Sequence, residues 1–350
     1  MNTSPGLAPF RSHRLREQVV VITGASSGIG RATAHAFARV GSRLVLAARN
    51  EHALRDVAGE CAIMGSNAIV VPTDVTNARA VAALAEKAAN TFGRIDVWIN
   101  NAGVGLFGPF HKAGIELHQR VVETNLFGAM NGAAAVLPFF LEQRSGVMIT
   151  NISLGGFAPV PFAAAYTAGK FGLRGFMAAL RQELVDEPNV HICAVFPSVI
   201  DTPGFQHGAN VSDAELSPAW PVFPPGKVAA AIVDIALHPR DELPVGWPAR
   251  LAKISYGLAP KTTERLIGTV FRRVIKDAPP APRRTGNLFE RSTGLLTPSG
   301  GWRSGSSTGN VMRTLAWAGL VGAGGLLLYS QLTKSRRSRA QGHPRQQEWA

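Results

Sequence analysis

Cysteine is nearly absent: Cys61 and Cys193 are the only two in 350 residues. Two isolated thiols in apolar surroundings exclude a disulfide framework and a thiolate metal site, and they read as core residues of a reducing compartment. His111, His118, His191 and His207 are scattered without ligand spacing, so no metal site is expected. Acid is what the chain ends lack. Residues 17–270 carry 20 Lys/Arg and 20 Asp/Glu, residues 1–16 three Arg and no acid, and residues 271–350 13 Lys/Arg against 3 Asp/Glu. The two ends therefore hold the whole formal net charge of +13. A nucleic-acid-binding enzyme would carry its excess on the folded domain. Basic tails point instead to an anionic membrane surface, and no nucleic-acid partner is expected. The first 16 residues also lack an apolar run of the length a secretory signal needs.

What the sequence does have is apolar material in ordered alternation. Hydrophobic residues make up 46% of the chain, enough for one large core or two modest ones. β-Branched runs at 18–23, 43–48, 68–73, 95–100, 146–152, 191–196 and 242–246 alternate with helical periods at 30–40, 51–63, 77–92, 116–141, 165–186 and 226–238. Strands buried on both faces and separated by helices predict an α/β fold with a doubly wound parallel sheet of about seven strands. Past residue 246 the pattern breaks. Residues 250–276 read as one or two basic amphipathic helices that close a domain spanning 17–276. Pro279-Pro280-Ala281-Pro282 and the Gly/Ser-rich run at 299–310 read as a flexible linker over 277–313. Residues 314–333 carry no charge and place Trp317 and Tyr329 toward their two ends, a length that suits a bilayer of roughly 30 Å. A membrane-associated protein is expected, with a basic extension at 1–16, a membrane segment at 314–333, a basic tail at 334–350 and the catalytic domain on the cytoplasmic side.

The chemistry starts at Thr23-Gly24-Ala25-Ser26-Ser27-Gly28-Ile29-Gly30, which follows the strand Val19-Val20-Val21-Ile22 and opens a helical segment. Glycines there permit a tight turn, and a helix N-terminus offers amides to a pyrophosphate, so the turn reads as a dinucleotide site. The second strand ends at Ala48-Arg49, where an NAD enzyme would place an acid for the ribose hydroxyls. Arg49 suits the 2′-phosphate of NADP(H) instead. Further on, Tyr166 and Lys170 stand four apart in a helical stretch, on one face. An ammonium beside the phenol is expected to lower its pKa from about 10 toward the range of a general acid or base. Ser153, closing an apolar run, can hydrogen-bond the same substrate oxygen. Alone, a Y-x-x-x-K pair is common on helices. Behind a nucleotide turn it points to proton transfer at a carbonyl or alcohol.

In this order and spacing, over about residues 17–246, the motifs resemble the short-chain dehydrogenase/reductase family, in its common subfamily with a T-G-x-x-x-G-x-G turn. The resemblance implies a Rossmann-like fold with catalysis at the carboxyl ends of the strands. By it, Gly24, Ser26, Ser27, Gly28, Ile29, Gly30 and Arg49 would bind the cofactor, NADP(H). Asp74 and Val75 would contact the adenine, Asn101, Ala102 and Gly103 would line the cleft, and Thr202 would hold the nicotinamide carboxamide. Asn125, Ser153, Tyr166 and Lys170 would form the catalytic tetrad, with Lys170 also on the nicotinamide ribose. One departure is Pro197-Ser198 where the family has Pro-Gly, which bears on the pocket floor. The implied activity is NADP(H)-dependent interconversion of a carbonyl and an alcohol by a homo-oligomer. An apolar lid over 203–225, with Phe205, Trp220 and Phe223, and the apolar C-terminal segment favour a lipophilic substrate and contact with membrane lipid. A catalytically silent NADP-binding sensor with the same fold is the alternative.

Overall fold

The computed structural model describes residues 15–219 and 221–303. Seven strands form one parallel sheet: β1 (Val19–Thr23), β2 (Arg43–Ala48), β3 (Ala68–Pro72), β4 (Val97–Asn100), β5 (Gly146–Asn151), β6 (Val190–Pro197) and β7 (Glu242–Val245). Their spatial order is β3-β2-β1-β4-β5-β6-β7, every pairing parallel. The order reverses between β1 and β4, which opens a crevice beyond the carboxyl ends of these two strands. Every residue of β1 and β4 is buried, because helices cover both faces.

On one face lie α3 (Ala78–Phe92), α5 (Gly128–Gln143) and α6 (Ala164–Glu183), whose Leu84, Phe140 and Met177 join a core with Trp98 and Met148. On the other lie α1 (Gly28–Arg39), α2 (Glu51–Ile63) and α7 (Pro225–Leu237), whose Phe37, Leu54 and Ile232 pack with Ile22 and Leu46. Cys61 and Cys193 belong to this second core. Asn50 and Asn77 accept hydrogen bonds from Ala53 N and Ala80 N, capping α2 and α3 as expected of Asn at an N-cap. The basic amphipathic stretch forms α8 (Trp247–Leu258) and α9 (Pro260–Asp277).

Three expectations need correction. The helix predicted over 116–141 is instead α4 (Ile115–Val122) joined to α5 by a π-helical turn, Glu123–Phe127, an insertion that hydrophobic periodicity does not reveal. Leu15, assigned to the N-terminal extension, is fully buried, and its carbonyl accepts a hydrogen bond from Ser42 Oγ, so the fold begins before residue 17. The largest correction concerns the linker. Its described part is laid against the domain: Arg284 and Asn210 pair as an isolated antiparallel bridge, as do Pro280 and Ala214, and Leu288 is fully buried beside Leu106, Leu117 and Val121. Proline and glycine suppress regular structure there, but backbone hydrogen bonds and one apolar anchor still fix the path.

Among the described residues one helical stretch, Ile115–Gln143, has the length and mean hydropathy (1.3) to cross a bilayer. It packs on the sheet through Ala133, Val136 and Phe140, as a core helix does. The predicted membrane segment at 314–333, the basic tail, most of the N-terminal extension and Trp220 lie outside the described residues.

The packing of α5 on the sheet is testable at Gly146, the first residue of β5. A Cβ there would sit 2.2 Å from Phe140 Cδ1, inside a fully buried ring. Gly146→Ala should cost about 1–3 kcal/mol in urea unfolding, typical of an overpacked core; an unchanged midpoint would contradict this packing.

Candidate active site

All the predicted site residues lie at or beyond the carboxyl ends of the strands. Gly24 to Ser27 form the turn from β1 into α1, Ser27 is the N-cap, and Gly28, Ile29 and Gly30 open the helix. Glycine is required at Gly30, where a Cβ would lie 2.1 Å from Gly24 O, and at Gly24, which has φ +65° and backs onto Ala102 Cα. The turn is clasped to the end of β4. Asn101 Nδ2 donates to Thr23 O (3.0 Å) and Gly24 O (3.1 Å), while Thr23 Oγ1 accepts from Asn101 N (3.0 Å) and Ala102 N (3.2 Å).

Ser153, Tyr166, Lys170 and Asn125 come together past β5. Ser153 follows the strand with φ +134°, a conformation that L-residues rarely adopt and that marks stored strain. Its Oγ accepts from Gly155 N (3.1 Å). A Cβ built on Gly155 would lie 3.2 Å from Tyr166 Cε1 and 3.6 Å from Ser153 Oγ, so the two hydroxyl-bearing side chains face one small space. Lys170 is 5% exposed; its Nζ donates to Asn151 O (3.3 Å) and lies 5.5 Å from the Tyr166 ring centre. Asn125 sits in the π turn, where its Oδ1 accepts from Val104 N and its Nδ2 donates to Val104 O, both at 2.9 Å. One amide hydrogen and one lone pair remain free for a further partner.

The electrostatics differ from the expectation. Burial pushes the Tyr166 phenol above its ordinary value, and only the Ser153 hydroxyl pulls the other way. Burial also pushes Lys170 down to about 8. The lysine was expected to lower the phenol, yet desolvation dominates for both groups, because each loses water and gains few polar partners.

A second cluster lies at the outer end of the crevice, past β2 and β3. Asp74 accepts from Thr76 N and Oγ1 and from Arg120 Nη2 (2.8 Å), and Asn131 Nδ2 donates to Val75 O. Burial alone would raise the Asp74 carboxyl, but the Thr76 hydrogen bonds and Arg120 hold it below its ordinary value. Arg49 is lowered by burial, with Asp74 opposing and Arg120 reinforcing the shift, so the two guanidinium groups share one neighbourhood. Arg120 escaped the sequence reading because no motif marks it.

Between the clusters, Thr202 packs against the turn: a Cβ on Gly28 would lie 3.4 Å from Thr202 Cβ. Ser198, the departure from Pro-Gly, is built in. Its Oγ donates to Val245 O (3.0 Å) and accepts from Ala249 N (3.1 Å), which satisfies an amide at the start of α8. In the lid, Phe205 stacks on Phe107 and meets Trp302 edge-on, while Ala209–Asn210 pair in parallel with Leu106–Phe107.

These residues fit a nicotinamide dinucleotide. A helix N-terminus whose Gly28 amide donates into the crevice suits a pyrophosphate, and two adjacent guanidinium groups suit a phosphate at the adenosine end.

The buried lysine makes stability depend on pH. Its folded pKa lies below its ordinary 10.5, so between about 8 and 10.5 the unfolded chain holds a proton that the folded chain has lost. Stability from this group therefore rises with pH across that window. From pH 7 to 10 the parent protein should gain about 2 kcal/mol relative to Lys170→Met in urea unfolding. A difference between the two proteins that does not vary with pH would contradict the burial.

A family model described as short chain dehydrogenase matches residues 18–210. The uncharacterized oxidoreductase YxnA of Bacillus subtilis is 35% identical over 288 residues, covering 81% of this chain and 80% of its own. Among solved structures, an alcohol dehydrogenase of the archaeon Thermococcus sibiricus, complexed with 5-hydroxy-NADP, is 28% identical with a TM-score of 0.57, covering 65% of this chain and 95% of its own. Levodione reductase is 25% identical with a TM-score of 0.60, covering 68% of this chain and 99% of its own. With its sheet order, its glycine turn and its clustered Ser, Tyr and Lys, the chain belongs to the short-chain dehydrogenase family of oxidoreductases, whose fold binds a nicotinamide cofactor.

Proposed function

We propose that the protein is an NADP(H)-dependent oxidoreductase that interconverts a carbonyl and an alcohol. The observation that carries this reading is the meeting of the Ser153 and Tyr166 side chains above a buried Lys170. When bound, the nicotinamide supplies the hydride to the substrate carbon, or accepts it in the reverse direction. Tyr166 gives its phenolic proton to the substrate oxygen as negative charge builds there. Its raised pKa keeps the phenol protonated at neutral pH, which suits reduction. Ser153 Oγ donates a hydrogen bond to the same oxygen, a contribution that grows in a site closed to water. Lys170, steered by Asn151 O, holds the ribose hydroxyls, and Asn125 offers its free amide hydrogen to a relay water. Asp74 and Val75 take the adenine, Ala102 and Gly103 line the floor, and Thr202 takes the carboxamide.

Arg49 supports NADP(H) over NAD(H): it stands where an acid would otherwise grip the ribose, with Arg120 as a cationic neighbour. The stacked Phe107 and Phe205 beside the crevice support a lipophilic substrate. Residues 314–333, apolar and uncharged in sequence, support attachment to membrane lipid. Assembly as a homo-oligomer follows the habit of the family.

Tyr166→Phe should lower turnover of a ketone panel by at least about 100-fold, the scale of a lost general acid, while the Kd for NADPH stays within about threefold because no phosphate contact is touched. Turnover within a few-fold of the parent enzyme would end the proposal. Arg49→Gln should cut the preference for NADPH over NADH by about 10–100-fold, the worth of a charge-assisted hydrogen bond. An unchanged ratio of kcat/KM for the two cofactors would remove Arg49 from that role.

A further inference from the structure

Residues 278–303, read from composition as a linker, run along the cofactor crevice and meet it at three places. At the adenosine end, Arg49 Nη2 donates to Asn287 O (2.6 Å) and Nη1 to Phe289 O (3.2 Å) and Leu288 O (3.3 Å). Arg120 Nε donates to the same Leu288 O (3.0 Å), so two cations converge on one neutral carbonyl. At the start of α1, the Gly28 amide donates to Thr297 O (3.1 Å) and Arg31 Nη1 to Leu296 O (2.8 Å). At the inner end, Trp302 Nε1 donates to Thr202 O (3.1 Å), and buried Asp201 accepts from Ser299 Oγ, Gly300 N and Trp302 N.

These contacts follow the order of the parts of a dinucleotide: 2′-phosphate, pyrophosphate, nicotinamide. Three donors that the cofactor reading directs at phosphates, the Gly28 amide, Arg49 and Arg120, already donate to main-chain carbonyls of the strap. Each would gain by exchanging a neutral carbonyl for an anion. The strap is held by hydrogen bonds rather than by a strand ladder. Its regular pairing is two isolated bridges, and its apolar anchoring centres on Leu288 and Trp302. Segments of that kind open at low free-energy cost.

We infer that residues 287–302 are a built-in occupant of the dinucleotide cleft, so that the seated strap and bound NADP(H) exclude each other. The inference rests on the reading of the cleft as an NADP(H) site. The strap lowers apparent affinity by the fraction of time it is seated: a strap in place about nine-tenths of the time raises the apparent Kd about tenfold. By linkage, the cofactor releases the strap to the same degree.

Gly286→Ala in the full chain provides the test. Gly286 has φ +54°, and a Cβ there would lie 2.2 Å from His207 O and 2.7 Å from Gly208 O, so alanine unseats the strap while leaving every nucleotide donor intact. The Kd for NADPH, read by nucleotide fluorescence, should fall about tenfold. Hydrogen exchange on the unaltered protein is the second measurement. With saturating NADPH, the amides of Asn287, Gly300 and Trp302, which donate to His207 O and Asp201, should lose protection. An equal or weaker affinity in Gly286→Ala, or unchanged or increased protection of those amides, would overturn the inference and make the strap part of the cofactor's own site. Absence of NADPH binding in both proteins would overturn the cofactor reading and this inference with it.

Discussion

The geometry of the candidate site depends on the amide of Asn101. It holds the glycine turn to the end of β4 through Thr23 O and Gly24 O, and its Oδ1 accepts from Asn151 Nδ2 (2.9 Å) at the end of β5. The carbonyl of Asn151 in turn accepts from Lys170 Nζ. One side chain thus connects the glycine turn with Lys170, beside Tyr166. A parallel sheet fixes the heights of its strands through the ladder, but it leaves the loops beyond their ends free. The relay from Asn101 to Asn151 to Lys170 removes that freedom where it matters, at the strand-order reversal.

Much of this was legible in the sequence, for a physical reason. Doubly buried strands must be apolar throughout, so β1, β2 and β5 announce themselves as runs such as Val19-Val20-Val21-Ile22. The helices between them carry their own periodicity and their Asn caps. The clustering of Ser153, Tyr166 and Lys170 was legible because a hydroxyl, a phenol and an amine at set spacings have few other reasons to occur behind a glycine turn of this kind. The direction of the phenol's titration was not legible. Spacing places a cation near Tyr166, but the balance between charge and lost water is set by everything packed around them.

The C-terminal strap shows a different blindness. A segment that binds through its own carbonyls needs no particular side chains at those positions, so Asn287, Leu288, Phe289, Leu296 and Thr297 carry no signature. Proline and glycine, which signal a linker, also let a chain follow a groove without secondary structure. Its large apolar residues, Leu288-Phe289, Leu295-Leu296 and Trp302, are too few and too unevenly spaced to show a helical or strand period. Arg120 was hidden in the same way, since a single arginine on an amphipathic helix is an ordinary solvated residue until its neighbours are known.

The π turn at Glu123–Phe127 reaches further than the placement of Asn125. One surplus residue in a helix advances the rotation by about 100°, so α4 and α5 present their apolar sides in different directions. Leu117 and Val121 on α4 look toward Leu288 and the lid strands, whereas Val136 and Phe140 on α5 look toward the main sheet. Removing a single residue from the turn would straighten the rod and swing α4 about its axis. Arg120 would leave Asp74, Leu288 would lose its seat, and Asn125, which lies in the turn itself, would lose its bonds to Val104. Both ends of the crevice and the anchoring of the strap thus share one irregularity in a helix.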